Sequence, residues 1–561
     1  MAMAEQSRVE PTARKSTGAA LLKGAAVLGV AAVISKVIGT MQKIPLQNMA
    51  GDAVFGIYNA VYPLYILILF LATAGFPLAV SKFVAEHAAE GRDHEARRVL
   101  RVSSVVLTAT GLIFFLLLFL GADWLAWLMG TAQTGMAIRS VSFALLIVPV
   151  MSALRGYYQG YQDMVPTAVS QVVEQTVRVF TMFALLLLFV QLGRGPDWVA
   201  AGATFGSVTG ALAGLLVMLS YDRRERGACT PSRSLQREMR TSVSKNRNES
   251  SWSLAGRLLR YALPICLGTI ALPVLTLVDS FTVPRLLAAY GLDEHRALYH
   301  FGLYHHGQPL VALVSMIASS MSAALVPAIA EAKIKGDWDS LRNRAAMALR
   351  FTWLIGAAAS VGLACLAKPM NIMFFDTAEG SSAMSILAYT ALFSTLNIVA
   401  GSVLQGVGAV IAPALYLLAA AAAKTAANAA LVPRWGIDGA AAAAVAAYAL
   451  AGALALAHAL RATGVTPAVG RTIKPLLCIG LMAIGVLAVT QGLPALLDAL
   501  LVTVPPRGVA TVVSLAGVAL GAIVYALALI RFGVVTSAEL EQIPALRGKP
   551  LVLLRRWRLL R

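Results

Sequence analysis

The sequence predicts an all-α polytopic membrane protein with fourteen transmembrane helices. Of its 561 residues, 58% are hydrophobic and only 13% are charged, and the mean hydropathy is +0.74. A soluble chain of this length would need much more polar surface to cover itself. Apolar stretches long enough to cross a hydrocarbon core of roughly 30 Å recur along the whole chain. These stretches also repeat as a unit, which predicts two related lobes.

The predicted spans are separated by short polar connections, apart from one long interruption after the sixth. In chain order they are residues 21–44, 55–83, 102–120, 136–154, 165–192, 199–220, 258–283, 310–329, 351–367, 382–404, 410–432, 439–460, 476–489 and 508–530. Residues 24–34 also fit the apolar region of a cleaved signal peptide. We interpret them as part of the first span because a repeated unit continues from them.

Two near copies of one decapeptide indicate an internal duplication. FGIYNAVYPL begins at Phe55 and FGLYHHGQPL begins at Phe301, and subtracting 55 from 301 gives an offset of 246. The same offset relates Gly56 to Gly302, Gln159 to Gln405, Gly160 to Gly406 and Arg178 to Lys424. A constant offset held by glycine, glutamine and cationic positions is not expected among unrelated apolar helices.

Each copy holds six spans, an even number, so the copies are predicted to be parallel repeats. Rocking of such lobes exposes a central cleft to alternate sides of the bilayer. The predicted organisation is a cytoplasmic N-terminal tail (1–20), an N-lobe (21–220), a basic cytoplasmic linker (221–256), a C-lobe (257–461), two extra C-terminal helices (462–532) and a basic cytoplasmic tail (533–561).

The formal net charge of +19 predicts an orientation in the membrane and needs no nucleic-acid partner. Most of the 46 lysines and arginines fall on the tails, the linker and alternate connections. The positive-inside bias places these segments and both termini in the cytoplasm, and their charge favours anionic lipid headgroups. The four cysteines show no CxxC spacing, so neither a disulfide framework nor a metal site is predicted.

Ionisable residues inside spans are the candidate functional residues, because such a residue is costly unless it faces a wet cavity or a partner. Lys36 and Lys43 are two helical turns apart, so on one uninterrupted helix they share a face. Two ammonium groups on one face suit a diphosphate or carboxylate-rich substrate. The alternative is that these lysines extend to the membrane interface.

Glu174 and Arg178 have the spacing of an intrahelical ion pair. They form either a structural pair that lowers the insertion cost or part of a substrate site, with Glu174 a candidate for ion coupling. The repeat equivalent of Arg178 is Lys424, followed one turn later by Asn428. Because the carboxylate is missing from that copy, we interpret Lys424 as an unpaired, substrate-binding cation.

Asp279 lies deep in the seventh predicted span and is a candidate for binding a coupling cation or proton. Arg285, just past Pro284, is a candidate for an anionic headgroup. The alternative is a local salt bridge between Asp279 and Arg285 at a helix end broken by the proline.

His305 and Gln308 precede Pro309, which suits the first turn of the eighth span. A helix N-terminus favours anions, so both residues are substrate-binding candidates. The alternative is that His305 and His306 are wetted loop residues. No GxxxxGK[ST] phosphate loop and no catalytic constellation occurs, so we expect a transporter with no catalytic residues, cofactor or metal.

Four stretches carry a family resemblance over roughly residues 20–530. They are LRGYYQGYQDMVPTAVSQVVEQTVRV, LPVLTLVDSFTVPRLL, GQPLVALVSMIASSMSAALVPAIAEA and SVLQGVGAVIAPALYLLAAAAAKTAANAALV. The chain resembles the stage V sporulation protein B type of polysaccharide transporter. That type belongs to a larger group with MurJ-type lipid II flippases, Wzx-type flippases and MATE drug exporters, the MOP superfamily.

The resemblance implies a flippase for lipid II, the undecaprenyl-diphosphate-linked peptidoglycan precursor, or for a related lipid-linked oligosaccharide in the bacterial cytoplasmic membrane. It also implies that residues 462–532 form a groove for the lipid tail. Coupling to a monovalent cation, a proton or the membrane potential is expected, as are a monomeric state and cell-wall synthesis proteins as candidate partners. Two alternatives stay open: a MATE-type drug/cation antiporter, and a non-transporting scaffold in spore or envelope assembly.

The first-helix motif SKVIG is similar to that of MurJ-type flippases, where a cavity arginine stands at the position of Lys36. A second arginine of that motif falls on Gln42, beside Lys43. A second-span arginine has no counterpart within LYILILFLATAGF. The expected headgroup-binding pattern therefore differs from that of the MurJ type.

Overall fold

The computed structural model describes residues 12–73, 75–228, 250–466, 473–499 and 505–535. Within these ranges the chain is helical, and no β-strand occurs. The helices before residue 229 are α1 (Thr12–Met41), α2 (Lys43–Thr73), α3 (Phe76–Ala89), α4 (Asp93–Leu120), α5 (Ala122–Met129), α6 (Thr134–Ser142), α7 (Val148–Gly160), α8 (Val165–Gln191) and α9 (Pro196–Ala228). A short 3₁₀ helix, Phe143–Leu146, separates α6 from α7.

Short connections also separate the helices after residue 249. They are α10 (Ser251–Thr269), α11 (Ala271–Ala289), α12 (Glu294–Tyr304), α13 (Gln308–Ile334), α14 (Trp338–Cys365), α15 (Ala367–Phe375), α16 (Ser381–Leu387), α17 (Thr390–Gly406), α18 (Ala412–Thr463), α19 (Ile473–Ala499) and α20 (Pro506–Arg531). The 3₁₀ helix His305–Gly307 connects α12 to α13.

Twelve helical stretches among the described residues are long and apolar enough to cross a bilayer, so the protein is a multi-pass membrane protein. Three of them are at least twice the ~20 residues of one crossing: Ala26–Ala89 has 64 residues, Ala412–Thr463 has 52 and Glu294–Ile334 has 41. The count of fourteen spans stays a prediction.

Glycines interrupt two of the long helices, and a proline lies where one predicted span divides into two helices. Gly51 (φ 79°, ψ 171°) interrupts α2 and Gly436 (φ 57°, ψ −134°) interrupts α18, with backbone angles that only glycine adopts easily. The predicted span 258–283 is two helices, α10 and α11, and Pro273 lies in the first turn of the second, where its missing N–H costs no helical hydrogen bond.

Described residues of the predicted linker 221–256 are helical at both ends, because α9 continues to Ala228 and α10 starts at Ser251. The middle of the linker, Cys229, residues 1–11 of the N-terminal tail and residues 536–561 of the C-terminal tail lie outside the described residues. Among the described residues, Cys266, Cys365 and Cys478 form no disulfide bond.

The chain divides into two compact units. The N-terminal unit comprises residues 1–42, 64–126 and 133–270, and the C-terminal unit comprises 43–63, 127–132 and 271–561. The predicted lobes, 21–220 and 257–461, differ from these units mainly because residues 43–63 group with the C-terminal half. The lobe boundaries and the repeat relationship stay predictions.

Two glycines related by the offset of 246 allow close helix packing, one inside each unit. In the N-terminal unit, a Cβ on Gly160 would lie 2.7 Å from the Val84 Cβ. In the C-terminal unit, a Cβ on Gly406 would lie 2.8 Å from the Ile329 Cβ. Both separations are too short for real Cβ atoms, so α3 and α7, and likewise α13 and α17, approach through glycine.

The two decapeptide copies contact each other within the C-terminal unit. A Cβ on Gly56 would clash with the carbonyl oxygen of Leu298, and a Cβ on Gly302 would clash with that of Asp52. Subtracting 56 from 302, or 52 from 298, gives 246, the offset of the predicted duplication. Leu298 and Asp52 are therefore related by the same offset as the two glycines that contact them. Such reciprocal contacts are the pattern that a local two-fold axis produces.

Candidate functional site

The first polar centre lies in the N-terminal unit and consists of Arg155, Glu174 and Arg178, called here the Glu174 triad. Glu174 accepts a 2.8 Å hydrogen bond from Arg178 on one carboxylate oxygen and a 2.8 Å bond from Arg155 on the other. The predicted intrahelical pair is thus confirmed. Its side chains are 17%, 13% and 12% exposed in the order named, so the centre is largely but not completely buried.

Arg155 was missed as a candidate because it was assigned to a connection between spans. The structure places it inside α7, where its guanidinium also donates to the Ser170 hydroxyl at 2.8 Å. An arginine inside an otherwise apolar helix, in LRGYYQG, was the available signal. The three side chains, two arginines and one glutamate, carry a formal charge of +1.

The second polar centre lies in the C-terminal unit around Asp279 of α11, called here the Asp279 network. The carboxylate accepts a 2.7 Å hydrogen bond from Lys424 and a 2.9 Å bond from the Tyr304 hydroxyl. Its other oxygen accepts a 3.2 Å bond from Asn428, which also donates to Thr282 at 2.8 Å. The Lys424 and Asp279 side chains are only 3% and 4% exposed, and their charges cancel.

Two interpretations of these residues were wrong. Lys424 is not unpaired, because the carboxylate missing from its own helix is supplied by α11. Asp279 does not form the local salt bridge with Arg285, and α11 continues through Pro284 to Ala289. Sequence spacing revealed the i,i+4 pair but could not reveal a pair that joins two helices.

Arg285 is exposed and forms no ion pair with Asp279. Its guanidinium donates to the Leu128 carbonyl at 3.5 Å and lies 5.2 Å from the Trp127 ring centroid. This position leaves Arg285 outside the Asp279 network.

The two lysines of the first predicted span do not lie on one uninterrupted helix. α1 ends at Met41 and α2 begins at Lys43, so the shared-face argument for Lys36 and Lys43 was wrong. Lys36 is exposed. Lys43 is half-buried and donates a 2.9 Å hydrogen bond to the side-chain oxygen of Asn59.

His305 and His306 are buried, with 3% and 0% exposure, so their interpretation as wetted loop residues was wrong. They form the 3₁₀ turn before α13, and Pro309 occupies the first turn of that helix as predicted. Gln308 is half-buried.

The two centres differ in what they can bind. In the Asp279 network, the carboxylate is saturated by donors and the lysine is neutralised, so either charge binds a ligand only after the pair separates. In the Glu174 triad, one carboxylate is shared by two guanidiniums, whose planar donor pattern matches phosphate and carboxylate oxygens. Among the described residues, no group of three or more His, Cys, Asp or Glu side chains could hold a metal ion.

The sequence model of the family described as "Polysaccharide biosynthesis protein" matches residues 21–333. The chain is 32% identical over 522 residues to "Uncharacterized membrane protein YabM" of Bacillus subtilis (strain 168), covering 93% of this chain and 94% of that protein. It is 30% identical to "Lipid II flippase MurJ" of the same organism, covering 69% and 73%. It is 27% identical to "Stage V sporulation protein B" of that organism, covering 65% and 69%.

Two solved structures share the fold at 14% sequence identity. An inward-facing multidrug resistance MATE family transporter of the MOP superfamily gives a TM-score of 0.61, covering 77% of this chain and 94% of that chain. Lipid II flippase MurJ in an inward closed conformation gives 0.59, covering 89% and 97%. The resemblance inferred from the motifs is confirmed: the chain belongs to the polysaccharide biosynthesis protein family and is similar in sequence to MurJ and stage V sporulation protein B.

Proposed function

We propose that this protein is a flippase that moves lipid II, or a related undecaprenyl-diphosphate-linked oligosaccharide, across the bacterial cytoplasmic membrane by alternating access. The observation that carries the proposal is the Glu174 triad, a partly accessible centre of formal charge +1 inside apolar helices. A diphosphate leaving water needs cationic partners there, and guanidinium groups bind phosphate oxygens in a bidentate manner. The relationship to a lipid II flippase supports this substrate class.

The site residues have different roles in this proposal. Arg155 and Arg178 hold the diphosphate, and Glu174 keeps both guanidiniums in place between cycles. Lys424 can bind an anionic group only in a conformation in which Asp279 has released it, and Asn428 then stabilises the separated carboxylate. The outlying candidates, proposed to contact the headgroup along its path, are Lys36, Lys43, Arg285, His305 and Gln308.

Membrane potential or an ion gradient supplies the energy in this proposal. Moving one elementary charge through the field is worth about 2.3 kcal/mol per 100 mV, which is enough to bias a transport cycle. Both termini are proposed to be cytoplasmic, with residues 462–532 holding the lipid tail. The protein is proposed to act as a monomer beside cell-wall synthesis proteins.

One feature favours a second candidate, a drug/cation antiporter. Asp279 is a buried carboxylate, the group that an antiporter uses to exchange an organic cation for a proton or metal ion. In this conformation, however, the carboxylate is occupied by Lys424 at 2.7 Å. A flippase needs the triad cations, whereas an antiporter needs the Asp279 carboxylate.

The test is the amount of lipid II accessible at the outer leaflet in bacterial cells depleted of their other flippases. The wild-type protein should restore it, and Arg155→Gln combined with Arg178→Gln should abolish the restoration while membrane insertion stays normal. Asp123→Asn with Arg139→Gln, which removes a different and more exposed ion pair, serves as the control. Full restoration by the triad variant, or efflux of cationic dyes that depends on Asp279 but not on the triad, contradicts the proposal.

A further inference from the structure

A third polar cluster lies in the C-terminal unit and is used by neither centre. His306 Nε2 is 2.6 Å from the Asp52 Oδ1, and His306 Nδ1 is 2.8 Å from the Asn371 Oδ1. His306 is completely buried, Asn371 is also completely buried, and Asp52 is 7% exposed. These three residues therefore join α2, the turn before α13, and α15 at a site that is buried from solvent.

The hydrogen bonds of Asn371 fix the role of one ring nitrogen. Its amide nitrogen donates to the Glu379 carbonyl at 2.6 Å and to the Ser381 hydroxyl at 3.1 Å. The amide oxygen that faces His306 is therefore an acceptor, and Nδ1 of the histidine must carry a proton.

A second proton lies between His306 and Asp52. The Asp52 Oδ1 already accepts a 3.1 Å hydrogen bond from Gln47, so this oxygen acts as an acceptor toward its surroundings. Without a proton between them, the lone pair of Nε2 would face carboxylate oxygen at 2.6 Å in a buried site, which is strongly unfavourable. The contact thus holds one titratable proton.

The surroundings place that proton on the histidine. Asp52 follows Gly51, where α2 is interrupted, so its carboxylate lies at the start of a new helical run, where negative charge is favoured. The His306 ring stacks on Phe375 with centroids 4.0 Å apart and an interplanar angle of 11°, and an aromatic face attracts a cation. With an imidazolium and a carboxylate, the His306 Nδ1 donates to the Asn371 Oδ1 and the His306 Nε2 donates to the Asp52 Oδ1.

Several other charged or titratable groups lie on or beside the elements that hold this pair. They are His305 on the same turn, Tyr299 on α12 near Asp52, Glu379 bonded to Tyr299, Lys43 on α2, Lys424 on α18, and Arg507, which donates to the carbonyls of Met373 and Phe374 beside Phe375. None of them bonds directly to the Nε2 or to the Asp52 Oδ1, so the proton belongs to the pair itself.

We propose that Asp52 and His306 form a proton-binding site whose proton couples to the movement of the transporter. The site lies directly beside the contact between Gly56 and Gly302, because Asp52 supplies the carbonyl that Gly302 meets. Loss of the proton turns a 2.6 Å attraction into a repulsion and separates α2 from the turn before α13. The coupling, although not the proton site itself, rests on the proposed flippase function.

The proton is tested without substrate by nitrogen NMR of histidine-labelled full-length protein in lipid nanodiscs. At about pH 8 an ordinary histidine is neutral, so one of the seven histidines should show two protonated ring nitrogens, and His306→Gln should remove that signal. In Asp52→Asn, neutral His306 accepts a hydrogen bond from the new amide, so the protein should fold and the doubly protonated signal should vanish. A neutral His306 at this pH in the wild-type protein overturns the proposal.

Coupling is tested by the pH dependence of lipid translocation in the same preparation reconstituted into vesicles. Because His306 is expected to keep its proton at about pH 8, the wild-type rate should change at least threefold between about pH 8 and about pH 10. Asp52→Asn should have a flat profile over the same range. Asp438→Asn, which removes a carboxylate bonded to Ser382 at a solvent-exposed position, should keep the wild-type profile. A profile in Asp52→Asn that is the same as that of the wild type overturns the coupling. Absence of translocation in every variant, including the wild type, contradicts the proposed function. In that case the NMR experiment alone decides whether the proton site exists.

Discussion

The Glu174 triad and the Asp279 network occupy equivalent positions of the predicted repeat, but their buried cations are paired with carboxylates in different ways. Arg178 and Lys424 are related by the offset of 246, and each bonds a carboxylate. In the N-terminal unit the carboxylate comes from the same helix, is shared with Arg155 and leaves a formal charge of +1. In the C-terminal unit it comes from another helix, the charges cancel, and burial is more complete.

Both predicted copies thus place a cation at the same position, but the carboxylate that pairs with the cation has a different function in each copy. A neutral pair that joins α11 to α18 mainly fixes the packing of those helices. A cationic centre with residual exposure can attract an anionic group. We therefore expect substitutions in the Asp279 network to affect stability most, and substitutions in the triad to affect substrate binding most.

The largest expected stability effect is that of Lys424→Ala. It leaves the Asp279 carboxylate buried without its cation, which should lower the free energy of unfolding by about 3–5 kcal/mol. Thermal unfolding in detergent measures it. Lys424→Met combined with Asp279→Leu should recover most of the loss, because a buried pair replaced by apolar groups is often neutral. A single variant as stable as the wild type would remove the structural role assigned to the pair.

A smaller effect is expected for Arg178→Gln. Glu174 keeps its bond from Arg155, so the loss should be about 1.5–3 kcal/mol, the range for a hydrogen bond to a charged group. The matched control is Arg285→Gln, which removes an exposed cation and should change stability little. If Arg178→Gln destabilises as much as Lys424→Ala, the contrast between the two centres is wrong.

The paired glycines test whether the two units share their packing. Gly160→Ala and Gly406→Ala each place a methyl group against a β-branched side chain and should cost about 1–3 kcal/mol, typical of overpacking. The repeat predicts similar losses, measured by the same unfolding assay. Gly256→Ala, where a Cβ would meet nothing within 4 Å, is the control. A large loss at one glycine and none at the other would argue against equivalent packing.

The smallest effects concern the two lysines of the first predicted span. Lys36→Ala should change the free energy of unfolding by less than about 0.5 kcal/mol because the side chain is exposed. Lys43→Ala loses the 2.9 Å bond to Asn59 and should cost about 1 kcal/mol. Equal values for the two variants would show that the Lys43 contact contributes nothing.

The helical membrane class, the family and the Glu174–Arg178 pair followed from hydropathy, motifs and local spacing, all of which are properties of neighbouring residues. The pairing of Asp279 with Lys424 did not, because it depends on which helices pack together. Likewise, the break at Gln42 places Lys36 on α1 and Lys43 on α2, although the residues between them are compatible with one helix. Asp52 and Asn371 gave no signal of their own, since each acquires its role only where three elements meet around His306.

The central claim, that the triad and not the Asp279 network holds the anionic headgroup, is tested most directly by binding of undecaprenyl diphosphate to the purified protein in nanodiscs. Arg155→Gln with Arg178→Gln should weaken binding at least tenfold, about 1.4 kcal/mol. Lys424→Gln with Asp279→Asn, which replaces the neutral pair by hydrogen-bonding amides, should stay within about threefold of the wild type. The reverse order of affinities would contradict the account.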